Sequence, residues 1–326
     1  MRIHRGSTKS RSRAAIRLRQ RIGAAIALLA GLAFAATPGI ARTLQVGPQL
    51  EMKLPSAAAA VAKDGDKVVI EQGEYADCAI WRANNLVIEG KGDVVIRDKV
   101  CEDKAIFVTK GANITVRGIE FAHARSSHKN GAGIRGEGAN LTVEASRFTD
   151  NENGILTGAD AHSRIFIRAS VFTLNGKCDP DCAHGIYIGT VELLQVTNSV
   201  FLQQNVGHHI KSRALRTELV GNTIKDGPVG TASFSVDIPD GGALVMRGNV
   251  IEKGPKSENH LAAISIAEES KRNPAGELTI ERNAFVNAMP QSTTFVRNQS
   301  TAAARLVGNK LGGSVVPLTG PGTVQP

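Results

Sequence analysis

One short pattern recurs through the chain: alternating apolar and polar residues, then a Ser or Asn, then an apolar residue two positions later. It is found as LTVEASRF at 141–148, RIFIRASVF at 164–172, LLQVTNSVF at 193–201, TELVGNTI at 217–224, ALVMRGNVI at 243–251, LTIERNAF at 278–285 and ARLVGNKL at 304–311. The closing apolar residues follow one another at intervals of 23 to 34 positions. Intervals that scatter around one value indicate a constant structural turn into which loops of variable length are inserted.

A second short pattern lies about ten residues upstream of the first in each cycle. It is a period-2 segment with a β-branched residue and small flanks, as in NGILT at 153–157, HGIYI at 184–188, HHIKS at 208–212 and FSVDI at 234–238. Such segments are typical of strands. No helical periodicity lies between them, which excludes folds that alternate strands with helices. Because strands this short bury little alone, the cycles must stack to form a continuous core.

The polar residue that lies two positions before each closing apolar residue is always Ser or Asn. These residues are Ser146, Ser170, Ser199, Asn222, Asn249, Asn283 and Asn309. If the cycles stack in register, they form an internal ladder at a bend, where Asn tolerates the unusual backbone and both donates and accepts hydrogen bonds. The sequence therefore predicts stacked turns with a buried polar ladder.

This combination resembles the right-handed parallel β-helix of the pectate-lyase-like superfamily over residues 43–311. It is also similar to exported bacterial parallel β-helix repeat proteins, through segments such as NGAGIR at 130–135 and GHHIKSRA at 207–214. The resemblance implies an all-β chain that forms a single-stranded right-handed parallel β-helix, or solenoid, with a helix at its N-terminal end. SAAAAVA at 56–62 suits that capping helix, with Ser56 as its predicted N-cap. We expect a β-helix domain over 42–311 and a flexible tail over 312–326.

The N-terminal segment has the order of a secretory signal. A basic stretch ends at Arg21, an apolar run covers 22–36, and small residues follow at Gly39 and Ala41. The run of 15 residues is shorter than the roughly 20 that a membrane span needs. We therefore expect residues 1–41 to be a signal peptide and the mature protein to be secreted or periplasmic, without stable membrane insertion. An uncleaved N-terminal anchor is the alternative.

The net charge of +9 belongs to the same segment. Residues 1–41 hold eight of the 39 Lys and Arg and no acid, so the other 285 residues carry 31 basic and 30 acidic groups. This balance removes the compositional reason to expect a nucleic-acid partner. With only 10 Phe, 2 Tyr and 1 Trp, recognition of an acidic polymer by charge is favoured over stacking on neutral sugars.

Four cysteines suit an oxidising compartment. Three pairings are open, and Cys78–Cys101 with Cys178–Cys182 is the most local. Neither pair has the two-residue spacing of a zinc knuckle. Asp179 and Asp181 could bind calcium, although a plain polar loop is the alternative. No other cofactor is expected.

Side chains alternate across a strand, so the apolar residue of each second-pattern segment is placed inward and the next residue outward. The inward column is Ile106, Ile134, Ile155, Ile186, Ile210, Val236 and Ile264. The outward column is Phe107, Arg135, Leu156, Tyr187, Lys211, Asp237 and Ser265. Neighbouring outward columns add His209 and Ser235 on one side and Arg213 on the other. These side chains are expected to converge on one sheet face, whereas His184 and His208 pack inward or at strand edges.

The residue types of this patch suit β-elimination on a uronic-acid polymer. That reaction must neutralise the carboxylate, remove the proton α to it and protonate the leaving oxygen. Arg213 or Arg135 would bind the carboxylate through paired hydrogen bonds. Lys211 would be the base, since neighbouring cations disfavour its charged form although Asp237 acts in the opposite direction, and Tyr187 or His209 would be the acid. The resemblance places the active cleft of such enzymes on this sheet, and the same residues suit C5 epimerisation.

Other functions remain open for the same residues. Asp237 joins Lys211 in the predicted catalytic group, and Ser235 and Asp240 join Arg135 in substrate binding. A glycoside hydrolase would need two facing carboxylates, for which Asp237 and Asp240 are available. A non-catalytic polysaccharide-binding or envelope scaffold, with an ordinary exposed Lys211–Asp237 ion pair, is the other alternative. The predicted partner is an acidic polysaccharide bound by a monomer.

Overall fold

Short strands follow one another around a right-handed parallel coil of about 11 turns. The computed structural model describes residues 41–326, so the predicted signal peptide, except for Ala41, lies outside the described residues. Each turn contributes strands to three faces, named sheets I, II and III. Each strand pairs in parallel with the strand at the same position of the next turn.

The strands are numbered β1 to β30 in chain order. Sheet I consists of β3 Ala79–Trp81, β5 Ala105–Thr109, β8 Ala132–Gly136, β11 Asn153–Thr157, β14 Ile186–Ile188, β17 Ile210–Ser212, β20 Val236–Ile238, β23 Ala262–Ile266, β26 Thr293–Asn298 and β29 Val315–Thr319. Sheet II consists of β1 Thr43–Val46, β2 Lys67–Tyr75, β4 Val87–Arg97, β6 Ile114–Arg117, β9 Leu141–Glu144, β12 Asp160–Arg168, β15 Val191–Thr197, β18 Arg216–Val220, β21 Ala243–Arg247, β24 Leu278–Glu281, β27 Ala304–Val307 and β30 Gly322–Gln325. Sheet III consists of β7 Glu120–Ala122, β10 Arg147–Thr149, β13 Val171–Thr173, β16 Val200–Leu202, β19 Thr223–Lys225, β22 Val250–Lys253, β25 Ala284–Asn287 and β28 Lys310–Gly312. Sheets II and III join through the long strand β4, which pairs with both β6 and β7.

The coil interior is filled by the inward apolar columns. From β8 onward the predicted register of sheet I is confirmed, since Ile134 pairs with Ile155, and Ile186 with Ile210. At β5 it is wrong by one residue, because Phe107 rather than Ile106 pairs with Ile134. Every residue of β5 from Ala105 to Val108 is apolar, so alternation alone cannot choose the inward side there.

The predicted polar ladder is confirmed. The backbone N–H of Asn222 donates to Asn249 Oδ1 at 2.9 Å, that of Asn249 to Asn283 Oδ1 at 2.9 Å, and that of Asn283 to Asn309 Oδ1 at 3.0 Å. The serine rungs join the same chain, with the N–H of Ser199 donating to Asn222 Oδ1 at 2.9 Å. Each rung thus accepts a hydrogen bond from the buried backbone N–H of the preceding rung, which removes the penalty of burying an unpaired polar group. Next to the ladder, the closing residues Phe148, Phe172 and Phe201 stack on one another and on Phe121 of the preceding turn, with neighbouring ring centroids 4.5 to 5.3 Å apart.

The two ends of the coil differ from the sequence predictions. The N-terminal helix, α1, spans Pro55–Val61, and its N-cap position is Leu54 rather than Ser56. The N–H of Ser56 instead donates to Asp77 Oδ2 at 2.8 Å, so a side chain from outside the helix satisfies the first turn. At the other end, the predicted flexible tail forms β29 and β30, which pair with β26 and β27. The coil therefore continues to Gln325.

Both predicted disulfides are present, Cys78–Cys101 and Cys178–Cys182. Within residues 41–326, no helix is long and apolar enough to cross a membrane.

Candidate functional site

A cleft of about 1150 Å³ lies on the outer face of sheet I. Its floor is the predicted outward column, because Arg135 pairs with Leu156, Leu156 with Tyr187 and Tyr187 with Lys211 on four successive strands. Neighbouring strands lie about 4.8 Å apart, so this floor extends about 14 Å along the coil. The register of the coil therefore gathers residues that are far apart in sequence.

Tyr187 and Arg213 are joined at the centre of the cleft. Arg213 Nε donates to Tyr187 Oη at 2.9 Å, and the Arg213 guanidinium lies 5.7 Å from the centre of the Tyr187 ring. The amine of Lys211 lies 5.6 Å from the same ring centre. Since the Tyr187 oxygen accepts from Arg213, its own proton points elsewhere, and no described residue accepts it. Tyr187 can therefore donate to a bound molecule.

Lys211 contacts two acids, of which the sequence predicted Asp237 but not Glu269. Its Nζ lies 2.6 Å from Glu269 Oε1 and 3.4 Å from Asp237 Oδ2. Arg213 contacts Glu269 as well, and its Nη1 lies 2.8 Å from Asp240 Oδ1. The two acids oppose the effect of the neighbouring cations, so the assignment of Lys211 as the base rests on its position in the cleft. Arg213 is fully occupied by protein partners, which makes it an orienting group for Tyr187.

Glu269 is the central residue that sequence reasoning missed. It lies in the turn 267–273 after β23, and its side chain is 45% exposed. Burial would raise the pKa of Glu269, but hydrogen bonds from Lys211 and Arg213 outweigh burial and lower it. The only sequence signal was the interval of 34 residues between Ile251 and Phe285, the longest of the series, which indicated an insertion without indicating its contacts.

Asp237 follows Lys211 in the outward column of sheet I and is buried, with 3% of its surface exposed. Burial raises the pKa of Asp237 to about 6, although Lys211 acts in the opposite direction. Its Oδ2 also lies 3.5 Å from His208 Nε2. A carboxyl group with this pKa exchanges its proton near neutral pH, and here it does so in contact with two side chains that line the cleft.

His184 and His208 lie near the starts of β14 and β17, largely buried at strand edges as predicted, and they also border the cleft, which His209 does not. His208 and His184 line the cleft, with their rings stacked 4.8 Å apart. His208 Nδ1 accepts the N–H of Phe234 at 3.1 Å, so a neutral ring carries its proton on Nε2, facing Asp237. Burial lowers the pKa of His208 to about 3, helped by the charges of Lys211 and Lys253. His208 is therefore neutral and polarised toward Asp237.

His209, the predicted acid, is a core residue with 1% of its surface exposed. Its Nε2 lies 2.8 Å from Asp226 Oδ1. The outward prediction was wrong because β17 begins at Ile210, so alternation does not extend back to residue 209.

The same buried region holds Lys253, whose Nζ donates to the backbone oxygen of Ser233 at 2.6 Å. Burial lowers the pKa of Lys253 to about 8, against the opposing charges of Asp226 and Glu258.

The three residues predicted to bind substrate have different surroundings. Arg135 lines the cleft, and its buried Nε has no hydrogen-bond partner among residues 41–326. Ser235 is buried and its hydroxyl is unpartnered, away from the cleft. Asp240 is also buried, where Oδ1 accepts from Ser270 Oγ at 2.7 Å. The cleft-facing prediction holds for Arg135 and is wrong for Ser235 and Asp240, because both of the latter are enclosed by the turns that follow or precede β20.

Calcium binding by Asp179 and Asp181 is not supported by a set of ligands among the described residues. Asp181 lines the cleft beside Cys182. Among the described residues, no group of three or more His, Cys, Asp or Glu side chains could hold a metal ion.

Comparison with known proteins supports the fold. No protein-family model and no curated protein matches the sequence. Among solved structures, the pectate lyase Pel9A is similar with a TM-score of 0.56 and 12% identity, over 87% of this chain and 77% of that chain. The alginate lyase from Paenibacillus sp. str. FPU-7 is similar with a TM-score of 0.55 and 15% identity, over 86% of this chain and 99% of that chain. At these identities the similarity shows the fold alone, and the chain folds as a right-handed parallel β-helix.

Proposed function

We propose that this protein is a polysaccharide lyase that cleaves an acidic polysaccharide by β-elimination in the cleft on sheet I. The observation that carries the proposal is the Tyr187 hydroxyl, which Arg213 orients and no described residue uses as a donor. Elimination needs a proton delivered to the leaving glycosidic oxygen, and a hydroxyl held in this way on the floor of a cleft can deliver it. Pectate and alginate lyases with the same fold agree with this substrate class.

Basic groups that have no close acidic partner support binding of a polyanion. Arg135 comes no nearer than 3.9 Å to Glu137, and its Nε is unpartnered. Lys129 and Arg272 also line the cleft, and neither lies within 4.0 Å of a carboxylate of the described residues. A uronate carboxylate therefore meets Arg135 without displacing a hydrogen bond, since the contact with Glu137 is too long for one, and Arg is suited to paired hydrogen bonds with a carboxylate.

Lys211 is the proposed base. Its amine lies on the cleft floor next to Tyr187, so the two groups act on neighbouring positions of one sugar. Glu269 accepts from Lys211 at 2.6 Å and is partly exposed, which offers a path by which the Lys211 proton leaves to solvent. Asp237 acts through its contacts with Lys211 and His208 rather than on the substrate.

The test is cleavage of pectate and alginate by the wild-type protein, followed by absorbance of unsaturated products and by reducing ends. A lyase raises both signals, a hydrolase only the second, and an epimerase or a scaffold neither. We expect Tyr187→Phe to lower turnover at least tenfold with an unchanged melting temperature, since the ring and its contacts remain.

Lys211→Arg is the matched variant for the base. It keeps the positive charge on the same strand, but a guanidinium does not give up its proton at working pH. We expect turnover to be abolished and substrate binding to persist. A Lys211→Arg variant with full turnover would overturn the assignment of Lys211 as the base.

A glycoside hydrolase is the second candidate, with Glu269 in place of the predicted Asp240. Asp237 and Glu269 both contact Lys211 Nζ, so their nearest oxygens lie no more than 6.0 Å apart. One carboxyl has its pKa raised to about 6 and the other has its pKa lowered, as an acid and its partner require. Reducing ends without unsaturated product, lost in Glu269→Gln, would establish this alternative.

A further inference from the structure

The outer face of sheet I is covered on the N-terminal side of the cleft. Val108, which precedes Arg135 in the outward column, has none of its surface exposed. It packs with Ala132, Leu156 and Cys101 in an apolar cluster separate from the core of the coil. A side chain that points out of the coil can be fully buried only beneath further chain, so the accessible floor ends at Arg135.

Two segments form this cover, 98–104 and 123–131. The N–H of Ser127 donates to Asp103 Oδ1 at 2.9 Å, and its hydroxyl contacts Oδ2 of the same residue, which ties the segments together. The buried carboxylate of Glu152 accepts from the N–H of Gly131 at 2.7 Å and holds the second segment to the coil. His128, Lys129 and Asn130 of that segment line the cleft. They form a wall across the direction of the coil axis.

The turn 267–273 closes the opposite end. It covers the outward positions of β20 and β23, so that Asp237 and Ser265 have 3% and 0% of their surface exposed. Asn273 Nδ2 donates to the backbone oxygens of Arg213 and Gly241 at 3.1 Å each, which anchors the turn over two strands. The floor is therefore limited to the four strands β8, β11, β14 and β17.

A third side is formed by segments 177–183 and 254–261. Cys182 and Ala183 line the cleft from the first segment, which the Cys178–Cys182 disulfide closes, and Asn259 and Leu261 line it from the second. The remaining side is lined by small residues, Ala159, Gly189 and Thr190. The cleft is thus walled on three sides and open on one.

We propose that this cleft accepts the end of an acidic polysaccharide chain, or a short acidic oligosaccharide, and not the interior of a long chain. The inference rests on the proposed function and adds the mode of attack to it. A chain running along the coil meets a wall at either end of a floor of about 14 Å, so only a terminus entering over Ala159 and Thr190 reaches Tyr187 and Lys211. Arg135, next to the N-terminal wall, binds a carboxylate of the terminal sugars.

The first experiment follows product size and viscosity during cleavage of pectate and alginate. The wild-type protein should release one short product of constant size from the start, while the viscosity of the polymer falls slowly. A ladder of product sizes with an early fall in viscosity would overturn the inference and leave the lyase assignment intact. Absence of cleavage of any acidic substrate would overturn the proposed function and the inference with it.

A second experiment loosens the wall. Asp103→Ala combined with Ser127→Ala removes the tie between the two covering segments without touching the floor. We expect longer products to appear and attack on polymer to rise at least threefold. Glu192→Ala, which removes an exposed ion pair with Arg164 on sheet II, is the matched control and should leave product size unchanged. Unchanged product size in the wall variant would refute the role of the wall.

Binding gives a readout that does not depend on turnover. Calorimetry with Lys211→Ala and pectate or alginate oligosaccharides of two to eight sugars should show affinity rising with length and then levelling off by four sugars. A continued gain of more than threefold between four and eight sugars would contradict a walled site.

Discussion

Replacing Asn249 by Leu should strongly destabilise the coil, because the amide of Asn249 satisfies buried groups on both sides. Its Oδ1 accepts from the backbone N–H of Asn222 at 2.9 Å, and its Nδ2 donates to the backbone oxygen of Leu219 at 2.9 Å. Leucine has a similar size but leaves both backbone groups without this partner. At about 1–3 kcal/mol for each buried group left unpaired, the expected loss is about 2–6 kcal/mol.

Asn309→Leu is the matched control, since Asn309 holds the same position in the last rung. Its Oδ1 accepts from the N–H of Asn283 at 3.0 Å and its Nδ2 donates to the oxygen of Ile280 at 2.7 Å, but the residue is only partly buried. Water can replace the lost amide there, so the loss should be clearly smaller. The two variants thus differ in burial rather than in chemistry.

The assay is urea denaturation together with amide hydrogen exchange of the Asn222 N–H. Exchange is included because stacked turns can open locally before the whole coil unfolds. We expect a lowered midpoint and faster exchange at Asn222 in Asn249→Leu. Equal midpoints for wild type and Asn249→Leu, or an equal loss in Asn309→Leu, would refute the reasoning that burial of the ladder sets its energetic weight.

Two further predictions concern buried charges. The pKa of Asp237 is about 6 in the folded protein against an ordinary value of 3.8. Between these pH values the folded state binds more protons than the unfolded state, so the contribution of Asp237 to the free energy of unfolding falls as pH rises from about 4 to 6. Asp237→Asn should remove this decrease of stability with pH, which denaturation midpoints at pH 4, 5, 6 and 7 will measure. An identical decrease in both proteins would count against a protonated Asp237. The pKa of Lys253 is about 8 in the folded protein against an ordinary value of 10.5. Between these pH values the unfolded state binds more protons than the folded state, so the contribution of Lys253 to the free energy of unfolding rises with pH from 8 to 10.5. Lys253→Met should lack this rise relative to wild type, with Lys225→Met on β19 as the control, and parallel curves would contradict the burial of the Lys253 charge.

The order of the repeat predicted most of the architecture. The Ser and Asn positions from Ser146 to Asn309 identified the ladder, and the period-2 segments identified sheet I, because both are local patterns that stacking repeats turn by turn. The two disulfides followed from proximity along the chain. The register was wrong only at β5, where a run of apolar residues offers no alternation to read.

The floor of the cleft was predictable for a related reason. Arg135, Tyr187 and Lys211 each follow an inward Ile, and parallel pairing in register places them in one column. His209 and Ser235 were misplaced because they precede the first residues of β17 and β20, where the backbone is not yet extended and alternation carries no information. Alternation was therefore reliable inside strands and failed at these two residues before them, although Arg213, just after β17, lines the cleft as predicted.

The chain by itself thus determined the coil, its ladder and the residues of its floor, since these depend on repeats and alternation that short-range sequence contains. Only the tertiary structure decided the electrostatics and the boundaries of the cleft. Glu269 reaches Lys211 across 58 residues, and Ser127 reaches Asp103 across 24, through loops whose path no periodic pattern encodes. The contacts made by such loops depend on how the finished coil presents its surface, and those contacts give Lys211 acidic neighbours and close the cleft on three sides.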